Sequence, residues 1–358
     1  MPPCLFSHRL PGKNGSTLGS RPQATIKGIK MDKILLAHGG GGQKTTQLIQ
    51  ERIHKYFRDP MLDRMDDAAV IDKMVFTTDS FVVNPLFFPG GDIGELAISG
   101  TVNDIAVMGA RPLYLSVGFI IEEGFAVDDF EKILLSMKQA AEASEIRIVT
   151  GDTKVVERGK CDGIYINTSG IGEIEFNPPP GVERVQPGDV ILINGPIGLH
   201  AVSVLTARNE FGLDTEVFSD VAPLWSLIRQ LKNFDIKFMR DPTRGGTAQV
   251  LNEIASGRDF GVEIQEEALP VTPEVNGICE ILGFDVLHLA NEGKVIVIAA
   301  EKHAENILET MENHSLGKGA AIIGKVTEKN KGMVTLKTTA LSERIVMPPT
   351  GELIPRIC

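Results

Sequence analysis

The sequence predicts a two-domain protein of the α/β or α+β class, and three observations support this. The chain has 358 residues, which suits two domains of ordinary size. It is 42% hydrophobic and 23% charged, which is a globular balance. From Met31 onward, strand-like and helix-like stretches alternate along the chain. These features together predict two cores, each built from strands and helices.

The first module is predicted to extend over residues 31–186, after an extension formed by residues 1–30. The extension contains basic but no acidic residues and lacks the apolar segment of a signal peptide, so we expect it to be disordered. Apolar runs and helical periodicity then mark the elements of the module. The predicted strands are Val70–Thr78, Tyr114–Ile120, Arg147–Thr150 and Gly163–Ile171, and the predicted helices are Ile93–Met108 and Val127–Ser144.

The second module is predicted to extend over residues 187–346. It follows a proline- and glycine-rich break, Phe176–Gly181 and then Pro187–Asp189. The predicted strands are Val190–Asn194 and Lys294–Ala299, and the predicted helices are Leu199–Ala207, Gly246–Ala255 and His303–Met311. Residues 347–358 contain three prolines, which disfavour a packed helix, and we expect a mobile tail outside both modules.

Composition argues against several classes of partner. The formal net charge of −11 disfavours a nucleic-acid or anionic-membrane surface, since those partners require clustered Lys and Arg. No apolar run approaches the roughly 20 residues of a membrane helix. The four cysteines, at positions 4, 161, 279 and 358, are too far apart for a Cys-x-x-Cys motif. A soluble protein of the reducing cytoplasm is the expectation.

The last residue, Cys358, carries a thiol at the end of a segment that we expect to be mobile. Eleven extended steps from Met347 reach roughly 30–35 Å. Prenylation does not apply, because its cysteine stands four residues from the end. Arg356 should favour the thiolate of Cys358, whereas the terminal carboxylate should oppose it. The alternative is an incidental cysteine on a frayed terminus.

Acidic residues recur near the ends of apolar runs. They are Asp66, Asp67, Asp79, Asp104, Asp152 and Asp241. Carboxylates at strand ends can converge, and Mg²⁺ prefers such oxygen ligands when it bridges a protein to nucleotide phosphates. Each aspartate alone is more often a turn residue or a helix cap. The set therefore predicts a Mg²⁺ and nucleotide site, with that alternative open for each member.

Two glycine-rich segments are candidate phosphate contacts. Gly39–Gly42 precedes Lys44 and could present backbone N–H groups, although Gln43 stands where a Walker loop requires glycine. A flexible linker is an equal alternative for this segment. Asp241–Gly246 leads into a predicted helix, where free N–H groups and Arg244 could meet phosphate oxygens.

Two further residues next to predicted strands could move protons. Lys154 lies in Asp152-Thr153-Lys154, directly after a predicted strand, and Glu292 lies in Asn291-Glu292-Gly293, directly before one. Beside phosphates, shifted pKa values would suit both to acid–base work. Surface turns are the alternative. His38, His200 and His288 are scattered, and we assign them no chemistry.

In order along the chain, these motifs resemble one ATP-using superfamily. They are the glycine run, Asp66-Asp-Ala-Ala-Val70, Thr77-Thr-Asp-Ser80, Val102-Asn-Asp-Ile-Ala-Val-Met-Gly-Ala-Arg-Pro112, Thr150-Gly-Asp-Thr-Lys154 and Asp241-Pro-Thr-Arg-Gly-Gly246. The superfamily contains aminoimidazole ribonucleotide synthetase, selenophosphate synthetase and thiamine-monophosphate kinase. The ending Pro355-Arg-Ile-Cys358 is similar to that of its HypE family, the carbamoyl dehydratases of hydrogenase maturation. The resemblance extends from about Met31 to the last residue.

The resemblance implies an aminoimidazole ribonucleotide synthetase-like fold, in which N-terminal sheets of a homodimer form a barrel and ATP with Mg²⁺ binds between the domains. It also implies that the terminal thiol receives a carbamoyl group from the carbamoyltransferase HypF. ATP then phosphorylates the carbamoyl oxygen, loss of phosphate leaves a thiocyanate, and a HypC–HypD complex that carries iron accepts the cyanide for a [NiFe]-hydrogenase. The alternatives are a synthetase or kinase acting on a free small molecule, and a non-enzymatic thiol carrier.

Roles carried over from the resemblance fall into three sets. The metal-binding positions are Asp67, Asp79, Asp104 and Asp241. The nucleotide-binding positions are Lys44, Thr78, Asn103, Gly151 and Asp152, to which Arg244 is added from its motif. The catalytic positions are Cys358, Lys154 and Glu292, with Arg356 as an aid to the thiol. One departure is Gly198-Leu-His-Ala201, which lacks the second glycine often found after that histidine and puts the local turn in doubt.

Overall fold

The computed structural model describes residues 33–57, 59–209, 212, 215–351 and 353–358. The predicted disorder of residues 1–30 lies outside the described residues. The helices are α1 Gln43–Leu48, α2 Ile93–Val107, α3 Val127–Ala143, α4 Leu199–Ala207, α5 Trp225–Ile228, α6 Gly246–Ala255, α7 Pro273–Leu282 and α8 Ala304–Glu312. The strands are β1 Ala69–Ile71, β2 Met74–Phe81, β3 Phe87–Phe88, β4 Gly91–Asp92, β5 Ala110–Glu122, β6 Arg147–Val156, β7 Ile164–Ile174, β8 Val190–Ile193, β9 Ile236–Arg240, β10 Gly261–Gln265, β11 Ile296–Ala299, β12 Ala321–Thr327, β13 Val334–Lys337 and β14 Glu343–Ile345.

The first half of the fold is a five-stranded sheet, ordered β1-β2-β7-β5-β6, with α2 and α3 side by side against its inner face. Only β5 and β6 pair in parallel. Residues along β2 and β7 alternate between buried and exposed, as expected when one face is packed and the other is not. The outer face is apolar yet exposed at Phe76, Tyr114 and Ile171, and the edge strand β6 is exposed along nearly its whole length.

The second half is a seven-stranded sheet covered on both faces. Its order is β14-β13-β10-β12-β8-β11-β9. Every residue of β8 and β11 is buried, because Ile191 and Ile296 face the core that contains α6, whereas Leu192 and Val297 face α4, α7 and α8. Continuous apolar strands of this kind are typical of a sheet packed on both sides.

The two halves share one core, and the tail joins it. Side chains of α2, of the second sheet and of α5 belong to the same apolar cluster within Leu35–Cys358. Ile354 and Ile357, near the end of the chain, are only 6% exposed and belong to this cluster as well. In this structure the last residues are therefore packed against the body of the protein.

Most predicted elements are present, with two informative differences. The predicted strand Val70–Thr78 is a hairpin of β1 and β2, because Asp72 adopts a left-handed backbone conformation at the turn. The strand predicted to end at Thr150 continues to Val156, so Asp152 and Lys154 lie within β6 and not after it. Among the described residues, no helix is both long and apolar enough to cross a membrane.

Candidate active site

A cavity of about 680 Å³ lies where the two halves of the chain meet. Its walls come from the β1–β2 region, from α2, from the segment after β9 and from the end of the tail. Acidic and basic side chains dominate the polar part of the lining. The charged residues at its walls include Asp66, Asp67, Asp79, Asp104, Arg240, Asp241, Arg244, Glu253 and Glu292, and Cys358 also lines the cavity.

Three of the predicted metal-binding aspartates have raised pKa values in the free chain. Burial, reinforced by Asp241 and its acidic neighbours, raises the pKa of Asp104 well above its usual range. Burial and the charge of Asp67 raise the pKa of Asp241 to about 8. Burial also raises the pKa of Asp79, although Arg244 opposes this shift. The ionised carboxylates of this cluster therefore repel one another, and a bound cation would relieve that repulsion.

Two arginines partly balance these carboxylates. The guanidinium of Arg240 donates to the Asp67 carboxylate (2.9 Å), to the Glu253 carboxylate (2.6 Å) and to the Met65 carbonyl (3.0 Å). Arg240 thus forms ion pairs with Asp67 and Glu253. Arg244 lines the cavity, and its pKa is raised chiefly by the charge that Cys358 can carry. Arg244 therefore lies close enough to the terminal residue for their charges to interact.

The glycine run lies against Arg244 and the base of the tail. Nη1 of Arg244 donates to the Gly39 carbonyl (2.9 Å). At Gly41, whose φ is +77°, an added Cβ would lie 2.5 Å from Cβ of Arg244, and at Gly42 it would lie 2.5 Å from the Pro349 carbonyl oxygen. Glycine is needed here because the backbone approaches these groups so closely.

The tail reaches the cavity through a series of backbone contacts. The amide of Asn84 donates to the Arg356 carbonyl (3.2 Å), and the amide of Val82 donates to a Cys358 oxygen (3.1 Å). Arg208 donates to the Pro355 and Arg356 carbonyls at 2.6 and 2.9 Å. These contacts place Cys358 in the cavity that the aspartates line.

The side chain of Arg356 also attaches the tail to the first half of the fold. Its Nε donates to the Val82 carbonyl (2.9 Å), its Nη1 pairs with the Asp162 carboxylate, and its guanidinium lies over the Tyr165 ring. Arg356 is not among the residues lining the acidic cavity. In this arrangement Arg356 anchors the tail, and its effect on the thiol remains a prediction.

Glu292 is a buried residue whose carboxyl group lines the same cavity as Cys358. Burial, reinforced by Asp241 and Asp220, raises the pKa of Glu292 well above its usual range. Its Oε1 is buried and accepts no hydrogen bond from the described residues. The backbone amides of Glu292 and Gly293 donate to the Asp220 carboxylate at 3.2 and 3.3 Å, and Lys294 lies 3.2 Å from the same carboxylate. These contacts fix the backbone from which the Glu292 side chain extends.

Other predicted site residues have different surroundings. The side-chain amide of Asn103 donates to the Ala222 and Glu292 carbonyls (3.1 and 3.2 Å), and its Oδ1 accepts from the backbone amide of Leu224 (2.7 Å). Asn103 therefore fixes the Glu292 segment, and a nucleotide contact by this side chain stays a prediction. Thr78 lines the cavity, whereas Lys44 is exposed on α1 and is not part of the lining.

Gly151, Asp152 and Lys154 lie on the edge strand β6, outside the cavity. The side chains of Asp152 and Lys154 are 68% and 64% exposed and form an ion pair with each other. That pair lowers the pKa of Asp152. Within a single chain, the structure does not bring Lys154 to Cys358.

Comparison with known proteins places this arrangement in a family. Residues 65–174 match the AIR synthase related protein N-terminal domain, and residues 186–337 match the corresponding C-terminal domain. The carbamoyl dehydratase HypE of Bradyrhizobium diazoefficiens is 46% identical over 92% of this chain and 97% of its own. The chain belongs to the HypE family. The resemblance inferred from the ordered motifs and the terminal cysteine is thereby confirmed.

Two solved structures of HypE proteins share this fold. One is a complex of HypE with HypF, with 49% identity, a TM-score of 0.81 and coverage of 84% of this chain and 99% of the other. The second is a HypE in complex with ATP, with 43% identity, a TM-score of 0.76 and coverage of 91% and 100%. The predicted two-domain, aminoimidazole ribonucleotide synthetase-like fold is confirmed.

The carboxylates that line the cavity of this HypE family member are the donor type that Mg²⁺ prefers, but within the described residues they do not form a complete metal site. Among the described residues, no group of three or more His, Cys, Asp and Glu side chains could hold a metal ion by itself. Mg²⁺ commonly takes one or two carboxylates and completes its shell with water and phosphate oxygens. The repulsion within the aspartate cluster suits such a shared site. The four aspartates predicted to bind the metal, Asp67, Asp79, Asp104 and Asp241, all line this cavity, and their role as ligands stays a prediction.

Sequence reasoning missed His200, Asp220 and Arg240. His200 contacts the Ile357 carbonyl, Asp220 holds the Glu292 backbone, and Arg240 pairs with Asp67. Each contact joins residues at least 72 positions apart in the sequence, so no short sequence motif could predict it. A sequence signal existed only for His200, which stands in the Gly198–Ala201 turn already noted as unusual.

Proposed function

We propose that this protein catalyses the ATP-dependent dehydration of a carbamoyl group carried on Cys358, converting a thiocarbamate to a thiocyanate. The observation that carries the proposal is the position of Cys358, which lines the same cavity as the aspartate cluster, Arg244 and Glu292. A synthetase acting on a free small molecule has no need for its own C-terminal thiol in that position. The names of the relatives and the HypE–ATP complex support the same activity.

The reaction has a simple balance. The carbamoyl oxygen of the thiocarbamate attacks the γ-phosphorus of ATP, and ADP leaves. The amide nitrogen then loses its protons, the C–O bond breaks with release of phosphate, and a C≡N group remains on sulfur. The oxygen lost by the tail is therefore found in phosphate. Mg²⁺ held by the aspartates would screen the phosphate charges from the carboxylates.

The residues of this chain would orient the group and handle its protons. The buried Glu292 carboxyl, once ionised, is a stronger base than a solvated carboxylate, because its pKa is raised by burial. We expect it to accept a proton from the carbamoyl nitrogen. Arg244 would stabilise negative charge on the carbamoyl oxygen or phosphate. A cavity closed to water during the reaction would protect the activated group from hydrolysis.

Lys154 takes part in this proposal through a second copy of the chain. The lysine lies on the exposed edge strand β6, next to an exposed apolar sheet face that a homodimeric barrel would cover. Burial of such a face is the usual reason for a stable homodimer. We propose that the barrel brings Lys154 and Asp152 of one copy toward the nucleotide and carbamoyl group of the other.

The thiol requires partners before and after this reaction. The solved HypE–HypF complex supports HypF as the carbamoyl donor. A HypC–HypD complex with bound iron is the proposed acceptor of the cyanide. Since Cys358 is docked in the cavity in this structure, these exchanges require the tail to leave it, which is consistent with the mobility expected from its three prolines.

Mass spectrometry of the tail tests the proposal. Cys358 is carbamoylated by HypF or with cyanate, and the terminal peptide is weighed before and after addition of Mg-ATP. We expect loss of the mass of one water from that peptide, only with ATP. A variant lacking Ile357 and Cys358 serves as the control. It should release no phosphate from Mg-ATP and form no dehydrated product. An unchanged carbamoyl group in protein that binds ATP would favour the thiol carrier, and full product formation by the truncated variant would favour the small-molecule enzyme.

A further inference from the structure

The ring of His200 contacts the last peptide group of the tail. Its Nε2 lies 2.8 Å from the Ile357 carbonyl oxygen, and its Nδ1 lies 2.8 Å from Oγ of Ser219. The ring is completely buried and packs edge-on against Phe88, with ring centroids 5.3 Å apart. A buried side chain in this setting has little freedom to turn away from the tail.

The surroundings fix the role of each ring nitrogen. The Ile357 carbonyl only accepts, so Nε2 must carry the proton in this contact. The neutral ring then accepts at Nδ1 from the Ser219 hydroxyl, whose oxygen in turn accepts from the Val221 amide (3.1 Å). Burial lowers the pKa of His200, which agrees with a neutral ring. Every polar atom in this chain of contacts has a partner, which favours one well-defined position for the ring.

We propose that His200 is a positioning residue that holds the Cys358 thiol in the cavity. The contact restrains the carbonyl on one side of Cys358, and the Val82 amide restrains the terminal oxygen on the other. With its backbone restrained on both sides, Cys358 can direct its thiol only along the few staggered rotamers of its side chain. The inference rests on the proposed dehydration of the group carried by Cys358.

The same segment also positions Glu292. Ser219, which holds the His200 ring, is followed directly by Asp220, which accepts the amides of Glu292 and Gly293. The relative placement of the thiol and the buried carboxyl is therefore set by two neighbouring residues. Precise placement of reacting groups has large effects on rate, so loss of the His200 contact should slow the chemical step.

Two readouts in the full-length protein test this inference. The first is the rate at which N-ethylmaleimide labels Cys358, measured on the terminal peptide. The second is the single-turnover rate of water loss from the carbamoylated tail. We expect His200→Leu to raise the labelling rate and to lower the turnover rate, each by about five- to tenfold, the range for one net hydrogen bond. His200→Gln keeps a donor toward Ile357 and should restore both rates in part.

A matched control is available at the base of the tail. His288 lies 2.9 Å from the Met347 carbonyl oxygen through its Nε2, so His288→Gln alters a similar contact at the start of the tail rather than next to Cys358. We expect this variant to keep both wild-type rates. If His200→Leu does not fold, Ser219→Ala replaces it, and we expect smaller changes in the same directions.

The outcomes separate the two proposals. Wild-type labelling and turnover rates in a folded His200→Leu or Ser219→Ala variant would overturn the positioning role. If wild-type protein loses no water with Mg-ATP, the proposed dehydratase function fails. The labelling rate still decides whether His200 restrains Cys358, because that readout does not depend on the reaction.

Discussion

At the residue scale, the cavity combines groups that sequence motifs reveal with groups that only folding brings together. Asp67, Asp79, Asp104 and Asp241 stand in short, ordered motifs, so the sequence predicts them as a set, and all four line the cavity. His200 and Asp220 act through contacts with residues far along the chain. Such contacts depend on how the second half folds over the first, and they leave no local pattern.

Asp104 provides the sharpest test of the carboxylate cluster. It lies on α2, and its Oδ2 accepts from Oγ1 of Thr77 (2.8 Å). We expect Asp104→Asn to lower Mg-ATP turnover by about 100-fold, because a preorganised charged group is lost from the site. Asn keeps an acceptor for Thr77, and the buried carboxyl it replaces has a raised pKa, so the melting temperature should not fall.

The measurement is phosphate release by carbamoylated protein, together with thermal melting. Asp72→Asn is a suitable control, since Asp72 is an exposed residue of the β1–β2 turn where asparagine also tolerates a left-handed conformation. Wild-type turnover in Asp104→Asn would remove Asp104 from the metal site.

At the element scale, local sequence predicts helices better than it predicts the strands of the second sheet. The bounds of α4 and α6 agree with those predicted, and α2 differs by one residue. Strands β9, β10, β12, β13 and β14 were not predicted. Several are short, and each is stabilised by its neighbours in the sheet, because strand formation depends on cross-strand packing more than on intrinsic preference.

The first turn of α2 makes a pH-dependent contribution to stability. Burial and the nearby charge of Asp92 raise the pKa of Glu95 from 4.5 to about 7. A carboxyl with a raised pKa in the folded state stabilises the fold fully below pH 4.5, and this contribution is lost as the pH rises through 7. Glu95→Gln should therefore become more stable than the wild type as the pH increases from about 5 to about 8.

We expect a gain of about 1 kcal/mol at the high-pH end. The full shift would correspond to about 3 kcal/mol, but Glu95 is only half-buried and the helix N-terminus favours its charge. Urea unfolding at several pH values measures the difference. Glu131→Gln changes an exposed carboxylate on α3 and should show no such trend. A constant difference between Glu95→Gln and wild type across this range would contradict the prediction.

At the scale of the whole molecule, one chain does not account for every predicted catalytic residue. Cys358 and Glu292 line one cavity, whereas Lys154 lies on the exposed edge of the first sheet. The exposed apolar face next to it, which includes Phe76, Tyr114 and Ile171, is the kind of surface that a second copy covers. Sequence motifs identify residues but not which copy of the chain supplies them.

Mixed dimers test whether Lys154 acts across an interface. Cys358→Ser lacks the reacting thiol, and Lys154→Ala lacks the lysine, so each variant alone should be inactive. In a mixed dimer, the thiol of the Lys154→Ala chain can meet the lysine of the Cys358→Ser chain. After the two variants are unfolded together and refolded, water loss from carbamoylated tails should return to about a quarter of the wild-type level, since half of the dimers are mixed and each has one complete site.

The apolar face provides the control for this experiment. Ile171→Asp places a charge on the face of β7 that the barrel would bury, and adding it to both variants should abolish the restored activity and give monomers in sedimentation velocity. Leu135→Asp alters an exposed leucine of α3, away from that face, and should leave the restored activity intact. If the mixture stays inactive although mixed dimers form, Lys154 must reach its site within its own chain, and the tail or β6 would have to move to bring it there.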